Sequence, residues 1–425
     1  MKCMKSFASL VTLILTVIFL TSSLSHSGEM RTWTSKDGKF SIEAELVSDR
    51  GGRVTLRKAD GKRLTLTANK LSAKDQEFLS SLKPSKTKSS KTNSDPKSSE
   101  KRLASAEKAL KLLSKKLSSE GLKHPSGPTG ECVVYATAGL AFMASGDEGY
   151  KGEVTKCYKF LKENIFMKGI IDDPKWDQTT WSYSHTLLFL AEYEKFTKKN
   201  AGVTKLAQDL VNKLVARQGP VGGWCHGKIV DNALGYRQFV AATNCAVLGL
   251  GGARSMGIEI DESVFDKAEK YFKESSDLST GAVGYSPGPG QKGHGEAGRV
   301  GGAIIACIAA GKTKGSFFKS MKKYMLGDLD KVEIGHGSAQ LHQLLAGWAC
   351  HGLGKKESGK FWKLYTDSII KRQASDGSFA TPKGDKMAQM TQRKGGVEDG
   401  DRATATHALM LLIPEGHLSV VTTQD

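Results

Sequence analysis

Histidines, carboxylates and arginines recur just before or just inside a series of apolar segments in the C-terminal three quarters of this 425-residue chain. Imidazole and carboxylate groups exchange protons near neutral pH, so their grouping indicates general acid–base chemistry. The candidates for that chemistry all lie close to the start of an apolar segment; they are His294, Glu296, His342, Asp401 and His407.

A second set of residues near the same turns is suited to holding a ligand rather than transforming it. Histidine and arginine attract anions, and aromatic rings stack on sugars. The candidates are His185, Trp224, His226, Asp231, Tyr236, Arg237, Arg299 and His336. Further aromatic residues near the same turns are Trp176, Trp181 and Tyr285.

The same positions also have a purely structural interpretation. A polar residue at the start of a helix often caps it, and both Asp401, which precedes "RATATHAL", and Glu296 fit that role. A histidine between helices is more often hydrogen-bonded to its neighbour than catalytic, and Trp224 fits packing beneath a glycine-rich turn. Cys225 and His226 are adjacent, but no second group of metal ligands accompanies them, so we expect neither a metal nor a cofactor.

The elements that must position these residues follow a repeating pattern. An amphipathic helix, a turn and a strongly apolar helix recur, with turns spaced 43, 49, 59, 56 and 40 residues apart; they are centred on Gly130, Asp173, Gly222, Gly281, Gly337 and Gly377. A period of this length predicts an array of helical hairpins. Because the apolar helices are apolar nearly all round, we expect six inner and six outer helices in a closed ring over 103–425.

A closed ring of this kind would bring the inner-helix starts to one rim, which we call the mouth. Helix N-termini carry partial positive charge, so the mouth should favour an anionic ligand. Concave ring mouths are common ligand sites. The sequence therefore predicts that any site lies at the mouth.

One motif occurs twice in the large domain, as Leu214–Trp224 and Ile369–Phe379, with Gln218 and Gln373 as its polar members. The ring resembles the α/α-toroid of terpenoid cyclases and protein prenyltransferases, and this skeleton is similar to the QW-type repeat of squalene cyclases. The resemblance implies a structural role for the motif. The chain lacks both the Asp-x-Asp-Asp acid of the cyclases and the Asp-x-Cys zinc motif of the prenyltransferases.

A smaller module is predicted over 28–82. Alternating apolar residues around Ile42, a hairpin at Asp60-Gly61 and a helix capped by Ser72 indicate a small β-barrel, with Trp33 in its core. The segments "RTWTSKDGKFSIEAELV" and "KLSAKDQEFL" resemble the first Sla homology domain, an SH3-like barrel. That domain binds short Asn-Pro-Phe peptides in an endocytic adaptor, so the resemblance implies a peptide or protein partner.

Residues 1–27 have the charged start and apolar run of a secretory signal, which predicts a periplasmic or secreted protein with no membrane span after signal removal. The alternative is an uncleaved membrane anchor, since the apolar stretch is slightly long for a signal but short for a spanning helix. Residues 83–102 read as a disordered Lys/Ser-rich linker. Of the net charge of +18, residues 81–123 carry +8, so the basicity indicates attraction to an anionic cell-surface polymer rather than to nucleic acid.

These observations favour an exported binding or scaffold protein, with a protein-interaction β module and a toroid whose mouth binds a glycan or another anionic ligand. The alternative is a polysaccharide hydrolase or lyase that uses the histidines and carboxylates at the inner-helix starts. An isoprenoid cyclase-like enzyme is a third alternative, with less in its favour because the acid motif is missing.

Overall fold

The computed structural model describes residues 30–50, 53–60, 62–81, 96–167, 177–198, 201–228, 238–382, 385 and 400–420. The chain divides between Lys86 and Thr87 into two compact units. The predicted signal segment, 1–27, and Trp176, Asp231, Tyr236 and Arg237 lie outside the described residues.

The first unit is a small SH3-like β-barrel. Four antiparallel strands pair in chain order, followed by one helix: β1 (Met30–Thr34), β2 (Ser41–Arg50), β3 (Arg53–Lys58), β4 (Arg63–Thr67) and α1 (Ala73–Ser81). The chain after β4 returns to β1, because the Ser72 amide donates to the Thr34 carbonyl at 2.8 Å. Trp33 is buried and its Nε1 donates to the Ala44 carbonyl at 3.0 Å, which confirms its prediction as a core residue.

The second unit is an (α/α)6 toroid, as predicted. Outer and inner helices alternate along the chain. The outer helices are α2 (Pro96–Ser119), α4 (Lys151–Leu161), α6 (Ala201–Ala216), α8 (Glu262–Glu274), α10 (Ser316–Gly327) and α12 (Lys355–Ile370). The inner helices are α3 (Pro128–Ala144), α5 (Thr179–Phe196), α7 (Val240–Ser255), α9 (Ala297–Ala309), α11 (Ala339–Gly352) and α13 (Gly400–Leu412).

The ring is closed by direct packing. Each inner helix packs on the next, from α3 through α5, α7, α9 and α11 to α13, and α13 packs back on α3. Small residues permit this close approach: a Cβ at Gly301 of α9 would lie 2.7 Å from Cα of Ala346 in α11. Outer helices are one-sided, as in α8, where Phe265 and Phe272 are buried while Asp266 is exposed.

The two copies of the repeated motif make the same contacts at different points of the ring. Nε2 of Gln218 donates to the carbonyls of Gly222 (2.8 Å) and Val264 (2.8 Å). Nε2 of Gln373 donates to the carbonyls of Gly377 (3.1 Å) and Ser105 (2.9 Å). In each case the second acceptor belongs to the next outer helix, so the glutamine joins neighbouring hairpins.

Helix α2 begins inside the segment predicted as a disordered linker, which corrects the boundary at residue 102. Arg102 is buried. Its guanidinium donates to the Leu411 carbonyl and pairs with Glu415 at 2.8 Å. The segment 96–102 lacks apolar side chains, yet it is held through polar ones, including Ser98, which bonds Thr366 at 3.2 Å. Residues 83–95 of the predicted linker lie outside the described part of the chain.

The six cysteines of the second unit, Cys132, Cys157, Cys225, Cys245, Cys307 and Cys350, are all buried and free. They therefore serve as small core side chains. Within the described ranges, no helix combines the length and the apolar character needed to cross a membrane.

Candidate ligand site at the mouth of the toroid

The inner-helix starts come together at one rim, and hydrogen bonds between them hold the mouth in shape. The Ser182 hydroxyl at the start of α5 donates to the Thr129 carbonyl of α3 at 2.8 Å. The His336 amide, just before α11, donates to Oε1 of Glu296, just before α9, at 2.8 Å. Arg402 of α13 donates to the Ser338 hydroxyl, the N-cap of α11, at 3.1 Å.

Aromatic rings form a continuous row along the mouth, which we call the aromatic arc: Trp181, His226, Phe239, Tyr285 and His336. The centroid of His226 lies 5.9 Å from that of Trp181 and 4.7 Å from that of Phe239. Phe239 stacks on Tyr285 at 5.4 Å, and Tyr285 meets His336 edge-on at 5.4 Å. The arc therefore spans the starts of α5, α7, α9 and α11.

Most members of the aromatic arc keep part of their surface open. Trp181, His226 and Tyr285 are half-buried, His336 is exposed, and only Phe239, at 3% exposure, is enclosed. Trp181 Nε1 donates to Nδ1 of His226 at 2.8 Å, which fixes the two rings relative to each other. Burial lowers the pKa of His226 to about 4, against the opposing effect of Asp177, so the ring is neutral at pH 7. The arc is thus a largely uncharged, preformed aromatic surface.

Below the mouth, the ring axis holds a mostly apolar space, which we call the axial cavity. It is narrow, with a volume of about 20 Å³. Five inner helices contribute its lining: Thr137, Leu140, Ser184, His185, Leu188, Cys245, Leu248, Leu341, Leu344, Leu345, Trp348 and Leu409.

His185, predicted from the sequence as a ligand-binding residue, is one of the polar groups of the cavity. Its Nδ1 donates to the Trp181 carbonyl at 2.8 Å, which leaves Nε2 as an acceptor in the neutral ring. Burial lowers its pKa to about 4, the hydrogen bond to Trp181 opposes this shift, and Arg402 adds to it.

The two carboxylates predicted as catalytic are engaged in holding the ring together. Glu296 pairs with the buried Arg299 and accepts the His336 amide. Asp401 accepts from Lys116 Nζ at 2.6 Å and from the Lys123 amide at 2.8 Å. Both carboxylates accept a backbone amide from another segment and pair with a cation, so their role is structural, although it is not the helix capping predicted from the sequence. Neither residue caps its own helix. The Glu296 side chain makes no cap hydrogen bond, and the Asp401 side chain bonds instead to the α2–α3 connection.

The histidines predicted as catalytic fall into different environments. His407 is fully buried, stacks on Phe379 at 4.8 Å, donates from Nδ1 to the Ala403 carbonyl and accepts Arg372 at Nε2. His342 is also buried, between α9 and α11, with no partner at Nδ1. Burial, with a nearby arginine, lowers the pKa of each to about 3. His294 is exposed, and its carbonyl accepts Arg299 at 3.3 Å.

Among the predicted ligand-binding residues, the structure brings His226, Arg299 and His336 together along the aromatic arc, with Arg299 5.5 Å from the Tyr285 ring. Trp224 is fully buried and donates from Nε1 to the Leu214 carbonyl at 2.7 Å. This bond joins the two ends of the repeated motif, so the role of Trp224 is structural. Phe239, Arg402 and the leucines of the axial cavity are not among the residues predicted from the sequence. The spacing Leu341, Leu344, Leu345 and Trp348 could have indicated an axial face, because these positions share one side of a helix.

Two family models match the chain. A domain of unknown function, DUF6288, matches residues 107–421, and SLA1 homology domain 1 (SHD1) matches residues 22–87. The second match supports the predicted resemblance of the small module. No curated protein matches the sequence.

Solved structures with a similar fold include the GH76A α-1,6-mannanase from Salegentibacter sp. HEL1_6, with a TM-score of 0.52, 13% identity, and coverage of 75% of this chain and 100% of that one. Inactive variants of that mannanase in complex with α-1,6-mannotriose (TM-score 0.52, 11% identity, 74% and 98% coverage) and α-1,6-mannotetrose (0.55, 12%, 75% and 99%) also match. The likeness is one of fold, and the predicted resemblance to cyclases and prenyltransferases is not specific beyond the ring.

Proposed function

The chain belongs to the DUF6288 family, a domain of unknown function that spans nearly all of its toroid, and we propose that this toroid binds an α-mannan-type glycan at its mouth. The observation that carries the proposal is the aromatic arc. Its half-exposed rings offer flat apolar faces, beside the polar tips of His226 and His336. Sugar rings have apolar faces and polar edges, and such ligands fit mixed surfaces of this kind.

Two further observations favour a glycan as the ligand. The GH76A mannanase shares the toroid fold, and its inactive variants form complexes with α-1,6-mannotriose and α-1,6-mannotetrose. In the present chain the arc extends over four inner-helix starts, a length that suits several linked sugar rings better than one small molecule.

Binding without catalysis fits the described part of the mouth. General acid–base cleavage of a glycosidic bond needs two carboxyl groups facing the bond. Glu296 and Asp401 are each held by a cation and a backbone amide. These bonds suit anchoring better than proton transfer.

The proposed binding is tested by titrating the full chain with α-1,6-mannotriose in a calorimeter. Replacing Trp181 or Tyr285 by Ala should weaken binding about three- to tenfold, because each removes one stacking face. Leu364→Ala is the matched control, since Leu364 is exposed on the outer helix α12. No heat of binding, or equal affinity in all variants, would overturn the proposal.

Hydrolysis of the same glycan is the second candidate function, and one observation favours it. The inactive mannanase variants have two neighbouring aspartates replaced, and the present sequence contains one adjacent pair, Asp172 and Asp173. That pair lies outside the described residues. Release of reducing ends from α-1,6-mannan by the wild-type chain, and its loss in the variant with Asp172→Asn and Asp173→Asn, would establish an enzyme. Binding without release would leave the scaffold function.

We also infer that the chain is exported and that the small barrel contacts a protein or peptide partner. The apolar run within residues 7–20 supports export. The SHD1 match supports the interaction role. Mass spectrometry of the mature N-terminus after expression in a secreting host tests the first point, with cleavage after Ser27 as the expected result. A pull-down with a barrel variant Phe40→Ser tests the second, because Phe40 is 74% exposed.

A further inference from the structure

We propose that the glycan bound at the mouth carries a linear apolar chain, and that this chain enters the axial cavity. The chemical class is a mannoside with an alkyl-type aglycone, with its sugar on the aromatic arc and its chain between the leucines. This inference rests on the proposed glycan binding, and it names the part of the ligand that the arc alone does not specify.

The mouth and the axial cavity follow one another along shared helix faces. On α5, Trp181 of the arc is followed by His185 and Leu188 of the cavity, at spacings of four and three residues, which place all three on one side of the helix. The Trp181 carbonyl and His185 Nδ1 are hydrogen-bonded at 2.8 Å. On α13, Arg402 precedes Leu409 by seven residues, again on one side. A ligand resting on the arc therefore has the cavity directly beneath it.

The wall chemistry selects against a sugar inside the axial cavity. The Thr137 hydroxyl donates to the Val133 carbonyl at 2.7 Å, and the Ser184 hydroxyl donates to the Thr180 carbonyl at 2.6 Å. Together with His185, these side chains direct their hydrogens to their own helices. Seven leucines make up most of the remaining lining. A sugar ring would bury several hydroxyl groups with too few partners, which is costly, whereas an alkyl chain needs none.

The shape of the cavity selects among apolar groups. Its volume is only about 20 Å³, so an entering group must move the side chains that line it. A branched or ring-shaped group would have to displace several helices, whereas an unbranched chain requires only rotamer changes of leucine side chains, which commonly accompany binding. The narrow cavity therefore favours a linear chain.

The experiment compares methyl, butyl and hexyl α-mannosides by calorimetry with the full chain. Each buried methylene should tighten binding by up to about fourfold, so affinity should rise steadily from methyl to hexyl. Leu248→Met should place an unbranched side chain in the cavity and reduce that rise while leaving the affinity for methyl α-mannoside unchanged. Leu364→Met, on the outer surface, is the matched control.

A competition measurement keeps the test independent of any variant. Hexan-1-ol should displace hexyl α-mannoside but not methyl α-mannoside from the wild-type chain. Equal affinities for the three mannosides, or no competition by hexanol, would overturn the inference and leave glycan binding intact. Failure of every mannoside, including α-1,6-mannotriose, to bind would overturn the proposed function and the inference with it.

Discussion

Nε2 of Gln373 donates to the Ser105 carbonyl at 2.9 Å and thereby joins α2, the first helix of the toroid, to the turn that follows α12. These residues lie 268 positions apart in the chain. The equivalent bond from Gln218 joins helices that are close in sequence, since Val264 lies 46 positions away. The same local motif therefore links adjacent hairpins at one place and closes the ring at the other.

Replacing either glutamine by Ala should lower the free energy of unfolding by about 1–3 kcal/mol, because two carbonyls lose their donor. Urea denaturation measures this directly. Gln208→Ala is the control, since Gln208 bonds Asn212 within its own helix. We expect Gln373→Ala in addition to increase protease cleavage near the start of α2. A Gln373→Ala protein as stable and as resistant as wild type would contradict the closure role.

Replacing the turn glycine in either copy of the motif by any residue with a side chain should destabilise the toroid. Gly222 and Gly377 have φ values of 97° and 99°, and a Cβ at either would overlap a backbone carbonyl, of Lys267 or Lys108 respectively. Backbone strain alone costs about 1–3 kcal/mol, and the overlap adds to it. Gly222→Ala and Gly377→Ala should therefore unfold at clearly lower temperatures than wild type, as measured by thermal unfolding.

For Gly152→Ala, by contrast, we expect no loss of stability. Gly152 lies in α4 with no atom within 4 Å of the position its Cβ would take, apart from its own helix. Alanine is the better helix former by about 0.5–1 kcal/mol, so this variant should be equal to wild type or more stable. Equal losses of stability in all three variants would contradict this dependence on turn geometry.

Stability should fall as the pH drops below about 6.5, and His407 should account for part of that fall. Its pKa is about 3 when folded because burial and Arg372 disfavour the proton, and near 6.5 when unfolded. The unfolded chain therefore binds the extra proton between those values. One such histidine removes about 1.4 kcal/mol per pH unit over this interval, and the contribution is complete above pH 6.5.

Urea denaturation at pH 7.0 and pH 5.0 tests this dependence, with His407→Gln as the comparison. Glutamine can keep a hydrogen bond to Arg372 but does not titrate. The variant should have a lower free energy of unfolding than wild type at pH 7.0, and its free energy of unfolding should fall less than that of wild type between pH 7.0 and pH 5.0. Identical losses in the two proteins would show that His407 does not contribute to the pH dependence.

The true start of the toroid gives another prediction. A fragment of residues 96–425 should be more stable than one of 103–425, the boundary expected from sequence, because only the longer fragment keeps Arg102 with its bonds to Leu411 and Glu415. Buried charged groups of this kind are costly to leave unpaired. Thermal melts of the two fragments provide the measurement, and Arg102→Ala in the longer fragment should reproduce part of the loss. Equal melting temperatures would place the boundary back at 103.

This boundary also illustrates what sequence could and could not predict. Apolar periodicity located the inner helices, because a helix buried on all sides must be apolar throughout, as α9 is from Ala297 to Cys307 except for Arg299. Helix α2 starts with polar residues that form long-range bonds, and such pairings depend on residues some 300 positions away. No local pattern contains that information.

For the candidate site, the sequence predicted the mouth as its location but only some of the residues that form it. Periodicity brought the inner-helix starts to one mouth, and His226, Arg299 and His336 do lie there. Phe239 was missed because it looks like any apolar residue before a helix, and its ring stacking on Tyr285 depends on how two hairpins meet. The roles of Glu296 and Asp401 likewise depend on which cations the ring brings beside them.

Asp401 offers the sharpest separation of a structural from a catalytic carboxylate at the mouth. It accepts from Lys116 Nζ of α2 and from the Lys123 amide of the α2–α3 connection, so it joins α13 to both. Asp401→Asn should lower the free energy of unfolding by about 1–3 kcal/mol, because the buried Asp401 side chain loses its charge-assisted hydrogen bonds to the partly exposed Lys116 and to the Lys123 amide. The affinity for α-1,6-mannotriose should stay within about twofold of wild type, since the side chain points into the ring wall. Denaturation and calorimetry on the same preparation measure both quantities, with Asp376→Asn, at an exposed turn, as the control. A variant of unchanged stability that had lost mannan cleavage would instead identify Asp401 as a catalytic acid.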